Sequence, residues 1–239
     1  LFLRPSSLRV PMLPPSYLRE SDMRAIPPMY HPPLPFRLPN LRYEGPLTPP
    51  TTVGTLLYPG VAGGMNWGSV AIDEVNHLMV VNSMHNPMVI RLYPQEEVTG
   101  DEILGVGGTQ LGTPYAAYSF FFLSPIFTPC LKPPYGEMAV VDLANQEVLW
   151  QRCLGTAKEQ GPFGIQSNLP IPMGMFYSAG SMVSGGGLIF MGGVADSTMR
   201  AINILNGEEV WTDPLPSSSA ATPMTYVSPE TGKQYVIVT

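Results

Sequence analysis

Val141-Asp142-Leu143-Ala144-Asn145-Gln146-Glu147-Val148-Leu149-Trp150 and Ile202-Asn203-Ile204-Leu205-Asn206-Gly207-Glu208-Glu209-Val210-Trp211 repeat one pattern at an offset of 61 residues. In each copy an apolar residue precedes Asp or Asn, and Trp follows eight places later. The physical sense is a strand that ends at a side chain able to bond its own backbone, then a tight turn built on Asn and Gly or Gln. A second strand follows, whose terminal Trp is large enough to pack against a neighbouring unit. Hairpins recurring at this period predict radial stacking of four-stranded sheets, because no single unit can bury its own face. A sandwich of two such hairpins is the competing reading.

Outward from the repeat, short β-rich runs stand between turn signals: Ser69–Asp73, His77–Asn82, Met138–Asp142, Gly187–Met191 and Gln234–Val238. The 239 residues include 24 glycines and 28 prolines, with only 13% charged side chains, which favours many strands and turns over a helical bundle. The predicted class is all-β. Residues 1–50 hold 13 prolines with Leu, Met, Phe and Tyr interspersed. They read as a Pro-rich extended segment packed on, or linking to, a body formed by residues 51–239. No apolar run approaches the length of a membrane helix, and Phe120-Phe121-Phe122-Leu123 is cut by Ser124-Pro125. A net charge of −6 gives no basic surface for a phosphate backbone, so nucleic acid is excluded as a partner. Both chain ends read as cut: position 1 is Leu, with no signal peptide, and the last residues stop within a strand.

The Asp/Asn-turn-Gly/Gln-Glu-x-x-Trp pattern resembles the tryptophan-docking motif of the eight-bladed quinoprotein β-propellers. Other segments narrow the likeness. Leu41-Arg42-Tyr43-Glu44-Gly45-Pro46-Leu47-Thr48-Pro49-Pro50, Gly112-Thr113-Pro114-Tyr115, Pro133-Pro134-Tyr135-Gly136 and Ala221-Thr222-Pro223-Met224-Thr225-Tyr226 are similar to stretches of the membrane-bound, PQQ-dependent glucose, quinate and shikimate dehydrogenases. The resemblance covers about residues 41–239 and implies a partial propeller of about three to four blades, truncated at both ends. It further implies oxidation of a sugar or cyclic polyol hydroxyl at PQQ, with a divalent Mg or Ca ion on the cofactor and ubiquinone as electron acceptor. The implied location is the periplasmic face of the bacterial inner membrane, held by an N-terminal region absent from this chain. In the family the catalytic base and the metal ligands lie in earlier blades, so none is assigned here. Two alternatives stand beside it: a non-catalytic quinoprotein-like scaffold, and a periplasmic alcohol dehydrogenase delivering electrons to cytochrome.

The same resemblance singles out four cofactor-binding candidates. Asn66 and Trp67, in Gly63-Gly64-Met65-Asn66-Trp67-Gly68, offer an amide for quinone oxygens and a flat indole wall for a flat cofactor. Asn82, ending the run Met79-Val80-Val81, matches a position of the PQQ pocket, although an amide closing a strand is ordinarily a turn former. Asp196 matches an aspartate near PQQ, and at a blade corner its carboxylate is expected to face the central funnel. His31, His77 and His85 share no metal-like spacing and read as surface or loop residues. Cys130 and Cys153 read as buried free thiols, and the 14 methionines as core filling.

Overall fold

The computed structural model describes residues 17–23, 41–98, 105–124, 126–193 and 195–239. Most of the Pro-rich segment lies outside the described residues, His31 included. The described pieces of it lie against the body: Leu18 is buried and its N–H donates to the Tyr43 hydroxyl at 2.9 Å, and Asp22 pairs with Lys132 at 2.6 Å.

Among the described residues there are three four-stranded antiparallel sheets and one hairpin. The first sheet runs β2 (Val70–Asp73), β3 (Leu78–Met84), β7 (Gly136–Asp142), β8 (Glu147–Cys153). The second runs β9 (Met182–Val183), β10 (Leu188–Met191), β11 (Thr198–Asn203), β12 (Glu209–Pro214). A third sheet, in the order β1 (Thr55–Leu57), β4 (Met88–Pro94), β6 (Tyr115–Phe121), β5 (Val106–Thr109), draws three of its strands from between β3 and β7. It is therefore an insertion into the first sheet's connectivity, not the next sheet in the series. The hairpin of β13 (Met224–Val227) and β14 (Gln234–Ile237) follows the second sheet.

The 61-residue repeat is visible in the backbone. The β7–β8 pairing shifts register between Val140 and Val141, and the β11–β12 pairing shifts at the corresponding Ala201 and Ile202. The Trp of each copy sits directly across from the residue before the shift, Trp150 opposite Val140 and Trp211 opposite Ala201. The turns are built as the residue types demand. Asp142 accepts from the N–H groups of Ala144 and Asn145 at 2.8 and 2.9 Å, and Asn203 accepts from that of Leu205 at 2.8 Å. A third such turn joins β2 to β3, where Asp73 accepts from Val75 and Asn76 at 3.0 and 3.1 Å.

Trp150 locks the first two sheets together. Its indole N–H donates to the Ile204 carbonyl at 2.8 Å, beyond the end of β11. The ring lies over Gly207, where an added Cβ would stand 2.9 Å from two ring carbons and where φ is +72°. Arg152, two residues on, donates to the Gly207 carbonyl and pairs with Glu209 at 2.9 Å. Between the sheets lies the main core, with Val80, Met138 and Val140 facing Ile189, Met191, Ile202 and Ile204, and with Leu154, Met175 and Tyr177 closing one end. The methionines buried there are core filling. A second core, of Leu56, Tyr58, Val89, Phe122, Leu131 and Tyr135, holds the inserted sheet. Cys130 is buried in it as a free thiol pushed up to about 11 by burial; Cys153 is also free and only partly buried.

Antiparallel order fixes which loops meet. The β2–β3, β7–β8, β9–β10 and β11–β12 turns lie at one end of their sheets. Residues 58–69, 85–87, 154–181, 192–197 and 215–223 accordingly gather at the other end.

Replacing Trp150 by Ala should cost about 3 kcal/mol, near the low end of what buried aromatic truncations cost because the ring is half-buried here. Gly207→Ala should destabilise through the same contact; chemical denaturation of the intact protein measures both, and wild-type midpoints for either variant would contradict the docking role. On its own the 239-residue chain should aggregate, since every residue of edge strand β12 is exposed and Trp211 keeps 49% of its surface accessible. A sharp, reversible melt of the isolated monomer would contradict this.

Candidate functional site

The gathered loop end encloses a cavity of about 360 Å³, lined by Asn66, Asn86, Phe176, Tyr177, Ala195 and Ser219 among others. Close backbone approach builds it. A Cβ on Gly68 would fall 2.1 Å from the Gly180 nitrogen, so only glycine lets the loop bearing Asn66 touch the chain entering β9.

Asn66 uses its side-chain oxygen to accept from the Trp67 N–H at 2.7 Å, while its amide nitrogen has only a long bond of 3.4 Å to the Ala62 carbonyl. Its donor is thus largely available to the cavity. Trp67 is anchored by its indole N–H on the Ala220 carbonyl at 3.1 Å, yet 73% of its surface is exposed. A fixed indole with an open face suits a planar aromatic group.

Asn82 lies on β3 directly opposite Met138, on the face that closes over the main core. Only 4% of it is exposed, and neither its side-chain oxygen nor its nitrogen has a partner among the described residues. A buried amide in that state costs about 1–3 kcal/mol for each unmet group.

Asp196 does not aim its carboxylate down an open funnel. Ala195 lines the cavity, whereas the Asp196 side chain, 3% exposed, turns between the sheets. One oxygen accepts from the Thr156 N–H at 3.0 Å and pairs with Arg200; the other has no partner. Arg200 also donates to the Thr198 carbonyl at 2.9 Å and stands 3.6 Å from Glu209, which Arg152 holds in turn. A chain of alternating charges therefore runs from the cavity end to the turn that Trp150 covers.

Asn66 thus lines the cavity, Trp67 is bonded to its wall at Ala220, and Asp196 follows the lining residue Ala195. Asn82 is two residues from Met84, which lines the cavity, but its own side chain faces the core between the sheets.

One feature went unread in the sequence. His85 is neither surface nor loop-exposed: it is 3% exposed, with Nδ1 2.7 Å from the Tyr58 hydroxyl and Nε2 3.0 Å from a Glu137 oxygen. Gln151 donates to the other Glu137 oxygen at 2.9 Å. Burial raises the Tyr58 hydroxyl above its ordinary value, so it stays protonated beside His85. This ties the start of the Asn66 loop to β7. His77 sits in the exposed β2–β3 turn, as its sequence context suggests. Among the described residues no group of three or more His, Cys, Asp or Glu could hold a metal ion.

A protein-family comparison matches residues 4–236 to the PQQ glucose/ethanol/alcohol dehydrogenase β-propeller domain. The chain is 39% identical over 244 residues to the quinate/shikimate dehydrogenase (quinone) of Acinetobacter baylyi, covering 98% of this chain and 30% of that protein. It is 35% identical over 207 residues to the quinoprotein glucose dehydrogenase of Escherichia coli, covering 83% of this chain and 26% of that protein. With the glycerol dehydrogenase large subunit of Gluconobacter thailandicus the identity is 32%, over 98% of this chain and 34% of that protein. The chain spans about a third of the length of these relatives. Repeated four-stranded sheets, the docked Trp150 and nearly complete coverage by the family's domain identify the chain as part of a PQQ-dependent dehydrogenase β-propeller.

Proposed function

We propose that the intact protein oxidises a hydroxyl of a sugar or cyclic polyol at PQQ and passes the electrons to a quinone. The observation that carries this reading is a loop-end cavity lined by the Asn66 amide in a chain that matches the PQQ propeller family over residues 4–236; Asn82, buried with its amide unpartnered, lies in the core nearby. The names of the relatives, quinate/shikimate dehydrogenase (quinone) and quinoprotein glucose dehydrogenase, support this substrate class and acceptor.

PQQ, when bound, accepts hydride from the carbon that carries the substrate hydroxyl. The residues of this chain bind and orient. Trp67 offers its exposed indole face to a planar ring, and Asn66 presents an amide donor toward quinone oxygens. Asn82 supplies a donor and an acceptor once its surroundings admit a polar partner. Asp196 keeps a carboxylate oxygen unbonded behind Ala195, held by Arg200 and Thr156 so that its position is fixed before any ligand arrives. The catalytic base and the ligands of a Mg or Ca ion belong to parts of the parent protein that this chain does not contain. We place that parent at the periplasmic face of the inner membrane, anchored through another region; no helix among the described residues is long and apolar enough to cross a bilayer.

Dye reduction by the intact protein, prepared without cofactor and assayed with PQQ and Mg²⁺ or Ca²⁺ against quinate, shikimate, glucose and simple alcohols, should appear only when PQQ is added. A folded protein that neither binds PQQ nor reduces dye would make the propeller a scaffold. Asn82→Leu, which replaces an unmet amide by an apolar group of similar size, should leave the cofactor-free protein as stable or slightly more stable. The same change should weaken PQQ binding about tenfold, the equivalent of about 1.4 kcal/mol. Unchanged affinity in a fluorescence titration would remove Asn82 from the site.

A further inference from the structure

A second cavity, of about 420 Å³, opens at the same loop end but farther from the inner strands. Its walls are mostly apolar, with Phe127, Pro129, Tyr135, Pro162, Met173 and Met175, interrupted by Thr128, Ser167 and Glu159, the last of which accepts from the Ser197 hydroxyl at 2.8 Å. Gln160 at its edge contributes an amide donor. Around it, Phe127, Phe163, Ile165, Leu169 and Ile171 are all exposed, Ile165 to 68%. Phe127 and Phe163 come from separate loops tied by the Phe163 N–H on the Ile126 carbonyl at 2.7 Å. So many large apolar side chains at the surface of this chain beside a mostly apolar cavity fit a lipid-soluble partner.

The two cavities are separated by an aromatic contact. Tyr135 lines the apolar cavity, Phe176 lines the cavity that holds Asn66, and their rings lie 5.6 Å apart between centroids. Met175 and Phe176, neighbours in sequence, face the two cavities in turn. The partition is thus one side chain thick on each side.

The geometry points to the apolar cavity as the docking site of the quinone that accepts the electrons, an inference that rests on the PQQ reading above. The balance is complete within that reading. Oxidation of one hydroxyl carbon to a carbonyl releases two electrons and two protons; the quinone takes up both and leaves as the hydroquinone, with PQQ returned to its oxidised form. Phe127, Met173 and Met175 supply the apolar bed for the ring, thioethers and aromatic faces being well suited to a flat, polarizable occupant. Gln160 is placed to donate to a quinone oxygen, and the exposed rim of Phe163, Ile165 and Leu169 receives an isoprenoid tail.

The test is photolabelling of the intact protein, without turnover, by an azido-substituted short-chain benzoquinone, followed by peptide mapping. Label should fall within residues 126–129 or 157–175 and be displaced by unlabelled short-chain benzoquinone. Phe127→Asn should reduce the labelling about tenfold by removing an aromatic wall. The variant keeps the fold, because Phe127 has φ +60°, a conformation Asn adopts more readily than Phe. Label confined to other segments, or labelling indifferent to Phe127→Asn, would overturn the assignment. PQQ titration of the same preparation separates the two failures: loss of PQQ binding sinks the dehydrogenase reading, whereas PQQ binding with misplaced label sinks only the quinone site.

Discussion

The seat of Trp150 on the Ile204–Gly207 turn is the contact on which the rest of the arrangement hangs. Neither four-stranded sheet can bury its inward face alone, and the apolar residues of β3 and β7 are covered only because the second sheet lies against them. The indole combines area with a directed bond, and the absent side chain at Gly207 lets it close on the turn. The same contact organises polar groups. Arg152 reaches the turn beside Trp150 and holds Glu209, Glu209 faces Arg200, and Arg200 holds Asp196 at the opposite end of the strand. Anything that loosens the tryptophan seat is therefore felt at the wall of the cavity.

Position in the sheet decides what each loop can do. The ends carrying the Asp and Asn turns are tight, locally bonded and exposed, with Asp73 and Asp142 held below the usual carboxylate range by Asn76 and Asn145. They leave no room for a ligand. The opposite end carries the long connections, and glycine at Gly68 lets two of them touch. Both cavities described above lie there, and the inserted sheet thickens that end by stacking a second core beside the first. A rigid body of strands with its variable chemistry in loops at one end is the usual division of labour in such architectures.

The hairpins could be read from the sequence because their signals are local: alternation over a strand, an Asp or Asn at its end, and Trp at a fixed distance. The third turn, at Asp73–His77, uses the same chemistry but lacks the Trp, and so escaped the pattern. The inserted sheet was not legible because its pairings join distant segments, Thr55 to Ile90 and Val106 to Ser119. His85 was misread for the same reason, its partners Tyr58 and Glu137 lying 27 and 52 residues away. Asn66 and Trp67 were singled out by resemblance alone, since a Gly-rich turn says nothing of what faces it; of the two, Asn66 lines the cavity. Asp196 shows the limit of positional reasoning: a blade corner fixed where the residue sits, but Arg200, four residues on, decided where its carboxylate turns.

The contrast between the two buried polar groups is the most informative feature of the interior. Tyr58, His85 and Glu137 satisfy one another completely, and Gln151 takes the remaining carboxylate oxygen, so that network needs nothing from outside and serves to hold a loop on a strand. Asn82, Ser181 and one oxygen of Asp196 are equally buried and lack partners. Their placement is not scattered: Asn82 and Ser181 belong to strands or approaches that face the core between the first two sheets, and Asp196 closes that core near the cavity. A fold that can satisfy a histidine on both ring nitrogens has the means to satisfy an asparagine. Asn82, Ser181 and Asp196 nevertheless keep unmet side-chain atoms within the interior, and that contrast with the closed Tyr58–His85–Glu137 network is where the two parts of the interior differ.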